Sequence, residues 1–159
     1  MPFFGICLGL QLAIIEFARS KAGIADATSE EFEVAGTSVI HYMQGQQKEG
    51  PKGGNMRLGA YACSLKKDSV AHSIYGMTQI SERHRHRLEV NNDYIEKLVQ
   101  NGLVVSGMNN DLNLVEVIEL PRHPFFVACQ YHPEFKSKPF SPHPIFSRFI
   151  QAAINDQRK

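Results

Sequence analysis

The chain has 159 residues, the length of one domain, and 43% hydrophobic residues, enough for one sizeable core. Its 17 Lys and Arg residues nearly balance its 16 Asp and Glu residues, so no broad electrostatic field would attract nucleic acid or an anionic membrane. The 3 cysteines form no C-x-x-C pair, which argues against a disulfide framework or a zinc ribbon and favours a reducing cytoplasm. We expect no signal peptide and no membrane span, because charged residues soon interrupt the first apolar stretch.

The first residues have the pattern of a nucleophile elbow, in which a short strand turns sharply into a helix. The apolar pair Phe3-Phe4 is followed by Gly5, Cys7 and Gly9. We expect both glycines to be needed because they lack a Cβ that would clash at such a turn. The free N–H groups of the following helix would favour the thiolate form of the cysteine. The alternative is an inert cysteine buried beside a packing glycine.

In the first part of the chain, apolar spacing and turn residues predict four segments. These are a helix over 9–22, a polar loop or turn over 26–32, a short strand over 37–43 and a mobile surface loop over 44–55. Lys48, Lys52 and Arg57 border this loop and are predicted to form a solvated surface.

The rest of the chain is predicted to mix strands and helices. The predicted strands are 57–65, 80–90, 103–108, 113–120 and 125–131, and the predicted helices are 69–75, 92–102 and 144–155. Cys63 and Cys129 lie in apolar strands and are expected to be inert core thiols. The mixture predicts an α/β fold, with a ligand site beyond the carboxyl ends of its strands.

A second motif follows the last predicted strand, and it contains His132 and Glu134. Residues two apart in an extended segment lie on the same side, so this carboxylate can orient this imidazole. A thiol nucleophile needs a base to accept its proton, and that base needs a partner that fixes its tautomer. Cys7, His132 and Glu134 are therefore candidate catalytic residues. The alternative is a simple turn after a strand.

The segment 83–87 alternates arginine with histidine. In a strand, Arg83, Arg85 and Arg87 would lie on one face and His84 and His86 on the other. A nucleic-acid site would need more basic surface with interleaved aromatic residues, and a metal site would need further ligands. We therefore expect neither nucleic-acid nor metal binding.

The two motifs, GICLGLQ and YHPEF, resemble the signatures of class I, triad-type glutamine amidotransferases. The sequence around them closely resembles the glutaminase domain of the CTP synthase family, in the stretches RLGAY, SERHRHRLEVNN, SGMNNDLNLVEVIEL and HPFFVACQYHPEFKSKPFSPHPIF. The resemblance extends from residue 3 to about residue 154. It implies a class I amidotransferase-like, flavodoxin-like open sheet with flanking helices.

The resemblance also implies a reaction. Cys7 would attack the side-chain carboxamide of L-glutamine, His132 would give a proton to the departing ammonia, and water would hydrolyse the γ-glutamyl thioester. Four positions match glutamine-contacting positions of the family: Leu8, through its backbone N–H, Gln11, Glu31 and Arg87. A carboxylate for the substrate ammonium and a guanidinium for its carboxylate are the right groups for an amino acid.

One departure from the family concerns the extent of the domain. Family members place several strands and a glycine-rich loop, which supplies a second oxyanion N–H, before the elbow, whereas Met1 stands just before it here. We expect residues 1–159 to be a partial glutaminase domain that lacks its first strands, has exposed sheet edges and is a poor glutaminase alone. A lesser departure is Leu88, where the family usually has tyrosine.

The resemblance implies no cofactor in this domain. ATP and Mg would belong to a synthetase domain, absent here, in which ammonia converts UTP to CTP, and the full-length enzyme would be a homo-oligomer. Two alternatives stay open: an inactive fragment that binds glutamine or a partner chain without turnover, and an amidotransferase domain that serves another acceptor.

Overall fold

The computed structural model describes residues 1–43 and 56–157. Within these ranges the strands are β1 (Phe3–Ile6), β2 (Ala27–Ser29), β3 (Thr37–Tyr42), β4 (Arg57–Leu65), β5 (Gln79–His86), β6 (Leu88–Val90), β7 (Val104–Asn109), β8 (Leu114–Glu119) and β9 (Phe126–Cys129). The α-helices are α1 (Leu8–Ser20), α2 (Val70–Tyr75), α3 (Ile95–Gln100) and α4 (Pro144–Gln157). Short 3-10 helices cover Glu30–Phe32, Asn92–Tyr94 and Pro133–Phe135. The predicted loop over 44–55, with Lys48 and Lys52, lies outside the described residues.

The strands form two sheets. The larger has the order β1-β9-β8-β7-β4-β5, and the smaller has the order β2-β3-β6. In the larger sheet β1 and β9 are parallel, whereas the other neighbours are antiparallel. The larger sheet curls. Shortly after β9, the His132 N–H donates to Arg83 O at 2.8 Å, and Arg83 belongs to β5 at the far end of the same sheet. The predicted α/β fold, an open sheet with flanking helices, is confirmed.

The parallel pairing of β1 with β9 brings together the two sequence motifs. Ile6 is opposite Cys129 in this register, and the Cys7 N–H donates to Cys129 O at 2.8 Å. Because parallel strands end at the same edge of a sheet, the residues after β1 and those after β9 are neighbours. The site is therefore expected at this edge.

Helix α1 covers the edge from one side. Its apolar face, with Leu10, Ile14 and Ala18 each 0% exposed, belongs to a core that also contains Ile40 and Ile118. A second core lies on the other face of the sheet, near α2 and α4. Its members include Cys63 and Cys129, which are both buried as predicted, with Tyr131 and Ile145.

Strand β1 pairs only with β9 among the described residues and forms one edge of the larger sheet. Beside this edge lies an open apolar cavity of about 520 Å³ between β1 and α1. Its lining includes Phe3, Leu12, Phe17, Leu120 and Phe126. We call this cavity the β1 groove.

Two predicted elements were wrong. The predicted strand over 80–90 is two strands in different sheets, because the chain leaves β5 at Arg87 and β6 then pairs with β3. The predicted loop over 26–32 contains β2, which is parallel to β3. All three residues of β2 are small and buried, so the segment lacks the alternation of apolar and polar residues by which a strand is predicted.

The predicted division of faces is confirmed for residues 83–86 of β5, whereas Arg87 lies beyond the end of the strand. His84 and His86 are 2% and 5% exposed, whereas Arg83 and Arg85 are exposed on the other face of β5.

Candidate active site

Cys7 lies at the turn between β1 and α1 in a constrained backbone conformation. Its φ of 51° and ψ of −103° are unusual for a residue with a side chain. Such strain is typical of functional positions that the surrounding structure holds in place. Here the parallel pairing with β9 and the start of α1 hold both sides of the turn.

The two glycines that flank Cys7 differ in their surroundings. A Cβ on Gly5 would lie 2.8 Å from the Gly9 carbonyl carbon and 2.9 Å from the Gly9 oxygen, both backbone atoms. A Cβ on Gly9 would meet nothing within 4 Å. The expectation that a missing Cβ is needed is therefore right for Gly5. It is wrong for Gly9, because a Cβ at this position of α1 would face open space.

The second motif forms an oriented imidazole. His132 Nδ1 lies 2.6 Å from Glu134 Oε1, and because a carboxylate accepts, Nδ1 carries the proton. The opposite nitrogen, Nε2, is buried and has no hydrogen-bond partner within residues 1–43 and 56–157. The Phe135 ring stacks on the imidazole, with 5.0 Å between ring centroids. Nε2 is thus available as a base.

Burial raises the pKa of the Cys7 thiol to about 11. A hydrogen bond from the Leu8 backbone N–H opposes this rise, whereas the negative charges of Glu89, Glu134 and Glu31 add to it. The expected preference for the thiolate is therefore wrong for the resting site, because desolvation outweighs the N–H groups of the helix. At neutral pH the thiol is protonated, so attack requires a base.

The four predicted glutamine-contacting residues have different surroundings. Leu8 directs its backbone N–H at the sulfur, and Glu31 lies near enough to influence the Cys7 pKa. Gln11 is 3% exposed and its Nε2 donates to Leu88 O and to Gln130 Oε1. Arg87 lies between β5 and β6. No ion pair holds Glu31 or Arg87 within the described part of the chain, so both charged groups are available.

The glutamine amidotransferase class-I family model matches residues 1–152. The chain belongs to the class I glutamine amidotransferase family. It is 55% identical over 155 residues to a CTP synthase of Pelobacter propionicus, a match that covers 97% of this chain and 29% of that protein. The chain therefore spans less than a third of the length of this curated relative.

Two solved structures share the fold of this chain. The glutaminase domain of Trypanosoma brucei CTPS with bound acivicin superposes with a TM-score of 0.89 and is 40% identical, covering 97% of this chain and 60% of that one. A putative GMP synthase protein from Thermoplasma acidophilum has a TM-score of 0.59 at 17% identity, covering 99% of this chain and 59% of that one, which shows a shared fold.

Sequence reasoning on this amidotransferase missed a buried network of ionisable side chains. Arg57 was predicted to lie on a solvated surface, but it is 2% exposed and pairs with Glu89, at 3.4 Å, and with Glu116. His84 Nε2 lies 3.4 Å from Glu116 Oε2. The prediction for Arg57 failed because β4 continues into the sheet and carries the guanidinium to two buried carboxylates. Glu116, which stands between two valines in β8, was the available indication of a buried partner.

The two histidines of this network are linked to each other. His84 Nδ1 lies 2.9 Å from His86 Nε2, so each ring has one nitrogen in this contact. Within residues 1–43 and 56–157, no group of three or more His, Cys, Asp or Glu side chains is arranged to hold a metal ion. None of the helices in these ranges combines the length and apolar character needed to span a membrane.

Proposed function

We propose that the chain is the glutaminase part of a CTP synthase and hydrolyses L-glutamine through a γ-glutamyl thioester. The observation that carries this proposal is the meeting of the strained Cys7 elbow with the oriented His132–Glu134 pair at one sheet edge, through the pairing of β1 with β9. The likeness to the CTPS glutaminase domain that has acivicin bound supports glutamine as the substrate.

The geometry supports a defined order of proton transfers. Glu134 keeps the proton of His132 on Nδ1, so Nε2 accepts the Cys7 proton and the thiolate attacks the carboxamide carbon. The Leu8 N–H donates to the oxyanion that forms. His132 Nε2 then returns the proton to the leaving nitrogen, and ammonia departs. Water, deprotonated by the same nitrogen, attacks the thioester and releases glutamate and the thiol.

The substrate contacts follow from charge. Glu31 pairs with the α-ammonium of glutamine and Arg87 pairs with its α-carboxylate, because these groups are unpaired in the described structure and complement a zwitterion. Gln11 and the Leu8 N–H complete the four contacts. This domain needs no cofactor.

The fate of ammonia belongs to a larger protein. The CTP synthase relative is much longer than this chain. We propose that residues 1–159 are a partial glutaminase domain, and that a synthetase domain with ATP and Mg uses the ammonia to convert UTP to CTP in a cytoplasmic homo-oligomer.

Labelling with acivicin tests the proposal. We expect one adduct per chain by intact-mass measurement, assigned to Cys7 by peptide mapping, because Cys63 and Cys129 are each 0% exposed. The Cys7→Ala variant is the control and should gain no adduct. Excess glutamine should slow labelling, and ammonia release from glutamine should depend on Cys7. Equal labelling of all three cysteines, or ammonia release unchanged by Cys7→Ala, would contradict the proposal.

One observation favours the alternative of a glutamine-binding domain without turnover. No hydrogen bond joins Cys7 Sγ to His132 Nε2 in the described residues. In that case calorimetry would detect glutamine binding that is lost in Arg87→Ala, while no ammonia would be released and acivicin would not label Cys7.

A further inference from the structure

A side chain outside the proposed triad contacts the Cys7 sulfur. Gln130 Nε2 lies 3.7 Å from Cys7 Sγ, and Gln130 is 0% exposed. The Gln130 backbone N–H donates to Glu116 O at 2.9 Å, so its side chain extends from a fixed point at the end of β9. Because buried polar side chains are normally hydrogen-bonded, we expect this carboxamide to be held in one orientation beside the sulfur.

The orientation of the Gln130 carboxamide follows from a hydrogen bond to a backbone carbonyl. Leu88 O can only accept, so the Gln11 atom 3.1 Å from it is the nitrogen Nε2. The same nitrogen donates to the Gln130 side chain at 3.3 Å, and the Gln130 atom that accepts must be Oε1. Gln130 therefore presents its N–H group, not its oxygen, to the sulfur of Cys7.

The carbonyl of Leu88 is itself held from the other side. His86 Nδ1 lies 3.1 Å from Leu88 O, and because a carbonyl only accepts, this nitrogen carries a proton. His86 Nε2 then accepts from His84 Nδ1 at 2.9 Å. His84 Nε2 lies 3.4 Å from Glu116 Oε2, but neither atom makes a hydrogen bond within residues 1–43 and 56–157. The direction of each hydrogen bond is thus fixed from His84 to Cys7.

We propose that Gln130 is a positioning residue for the Cys7 nucleophile, because it holds an N–H toward Sγ and stabilises the thiolate. An amide N–H cannot accept, so the thiol proton must point elsewhere and is free for a base. A hydrogen bond to a charged acceptor is stronger than one to a neutral acceptor, so the thiolate gains more than the thiol. The inference rests on the proposed function, in which Cys7 is the nucleophile.

The rate of Cys7 alkylation tests this role in the 159-residue chain. Iodoacetamide reacts with thiolates, and mass spectrometry measures its adduct on each cysteine between pH 7 and pH 9. Gln130→Met keeps the side-chain length and removes the N–H donor, so we expect alkylation of Cys7 to become about tenfold slower at each pH. Gln151→Met, on the exposed surface of α4, is the matched control and should keep the wild-type rate.

A second variant covers the case in which Gln130→Met disturbs folding, which labelling of the buried Cys63 and Cys129 would reveal. Gln130→Glu keeps the shape and replaces the donor by a carboxylate, so alkylation at pH 9 should be slower still. Rates within about twofold of wild type in a folded variant would overturn the role of Gln130. If glutamine turnover is absent but alkylation slows as expected, the proposed function fails, whereas the stabilisation of the Cys7 thiolate by Gln130 stands. If the wild-type chain turns over glutamine normally but alkylation of Cys7 is unchanged in the Gln130 variants, the proposed function stands and the role of Gln130 fails.

Discussion

At the Cys7 elbow, two glycines in one short motif have opposite steric requirements. Gly5 faces the backbone of Gly9 too closely for a Cβ, whereas Gly9 faces open space. The tight part of the elbow is thus the close approach of Gly5 in β1 to the backbone of Gly9 in the first turn of α1. The strain at Cys7 is compensated by this approach and by the bond from its N–H to Cys129 O.

The pair Gly5→Ala and Gly9→Ala tests this difference. The Gly5→Ala change should lower the free energy of unfolding by about 1–3 kcal/mol, because backbone atoms must move to admit the methyl group. Gly9→Ala should stay within about 1 kcal/mol of wild type, since alanine favours a helix and meets no atom. Urea denaturation measures both. Equal losses in the two variants would show that Gly5 has no special steric role.

At the scale of the elements, β4, β5, β6 and β8 meet at the buried network around Arg57. Burial raises the pKa of Glu89 to about 8 and that of Glu116 to about 7, although Arg57 opposes both shifts. Burial, with the charge of Arg57, lowers the pKa of His84 to about 2 and that of His86 to about 3. The neutral forms of all four side chains are therefore favoured in the folded state.

These opposite shifts determine how stability depends on pH. Between about pH 3 and their ordinary pKa of 6.5 the histidines bind protons only when unfolded, so their contribution to stability rises with pH over this range. Above their ordinary pKa of 4.5 the glutamates keep protons only when folded, so their contribution falls with pH until about 8. The two effects oppose each other between pH 4.5 and 6.5, and above pH 6.5 only the fall from the glutamates remains.

We therefore expect the free energy of unfolding to be highest between about pH 4.5 and 6.5 and to fall by on the order of 2 kcal/mol at pH 8. Glu116→Gln should make this fall shallower, because glutamine keeps an oxygen for Arg57 and an N–H for His84 without titrating. Urea denaturation across this pH range measures the effect. Glu96→Gln, on the exposed surface of α3, is the control. An unchanged fall in Glu116→Gln would contradict the contribution of Glu116.

The sequence allowed the prediction of α1, of β4, β7, β8 and β9, and of the buried face of β5, because each has a local apolar pattern or strand composition. Whether Cys7, His132 and Glu134 act together stays a prediction from the two motifs. The split at Arg87 could not be predicted, since it depends on the pairing of β6 with β3 in a second sheet. Arg57 was missed for a related reason: its partners Glu89 and Glu116 lie on other strands, and periodicity within one strand does not identify them.

At the scale of the whole molecule, the edge of β1 that has no partner strand within residues 1–43 and 56–157 lies beside the β1 groove. Unpaired strand edges readily pair with another chain, and exposed apolar grooves mark interaction surfaces. Leu12 is 46% exposed in this groove. We expect the 159-residue chain to associate with itself through this surface.

The variant Leu12→Lys tests this expectation. A charge in the β1 groove would be buried by association, so the dissociation constant should rise at least about tenfold. Sedimentation velocity over a range of concentrations measures it. Leu112→Lys, which changes a leucine that is 44% exposed outside the groove, should associate like wild type. Equal behaviour of the two variants would locate the association elsewhere.

The parallel pairing of β1 with β9 also has a consequence for folding. The Cys7–Gln130 contact joins positions 123 apart in sequence, so closing it requires a long-range loop. During synthesis Cys7 leaves the ribosome long before β9 exists, and until then no imidazole from His132 can reach it. In the proposed function, the cysteine therefore becomes a nucleophile only after β9 and His132 have been synthesised, and before that it is an ordinary thiol in the nascent chain.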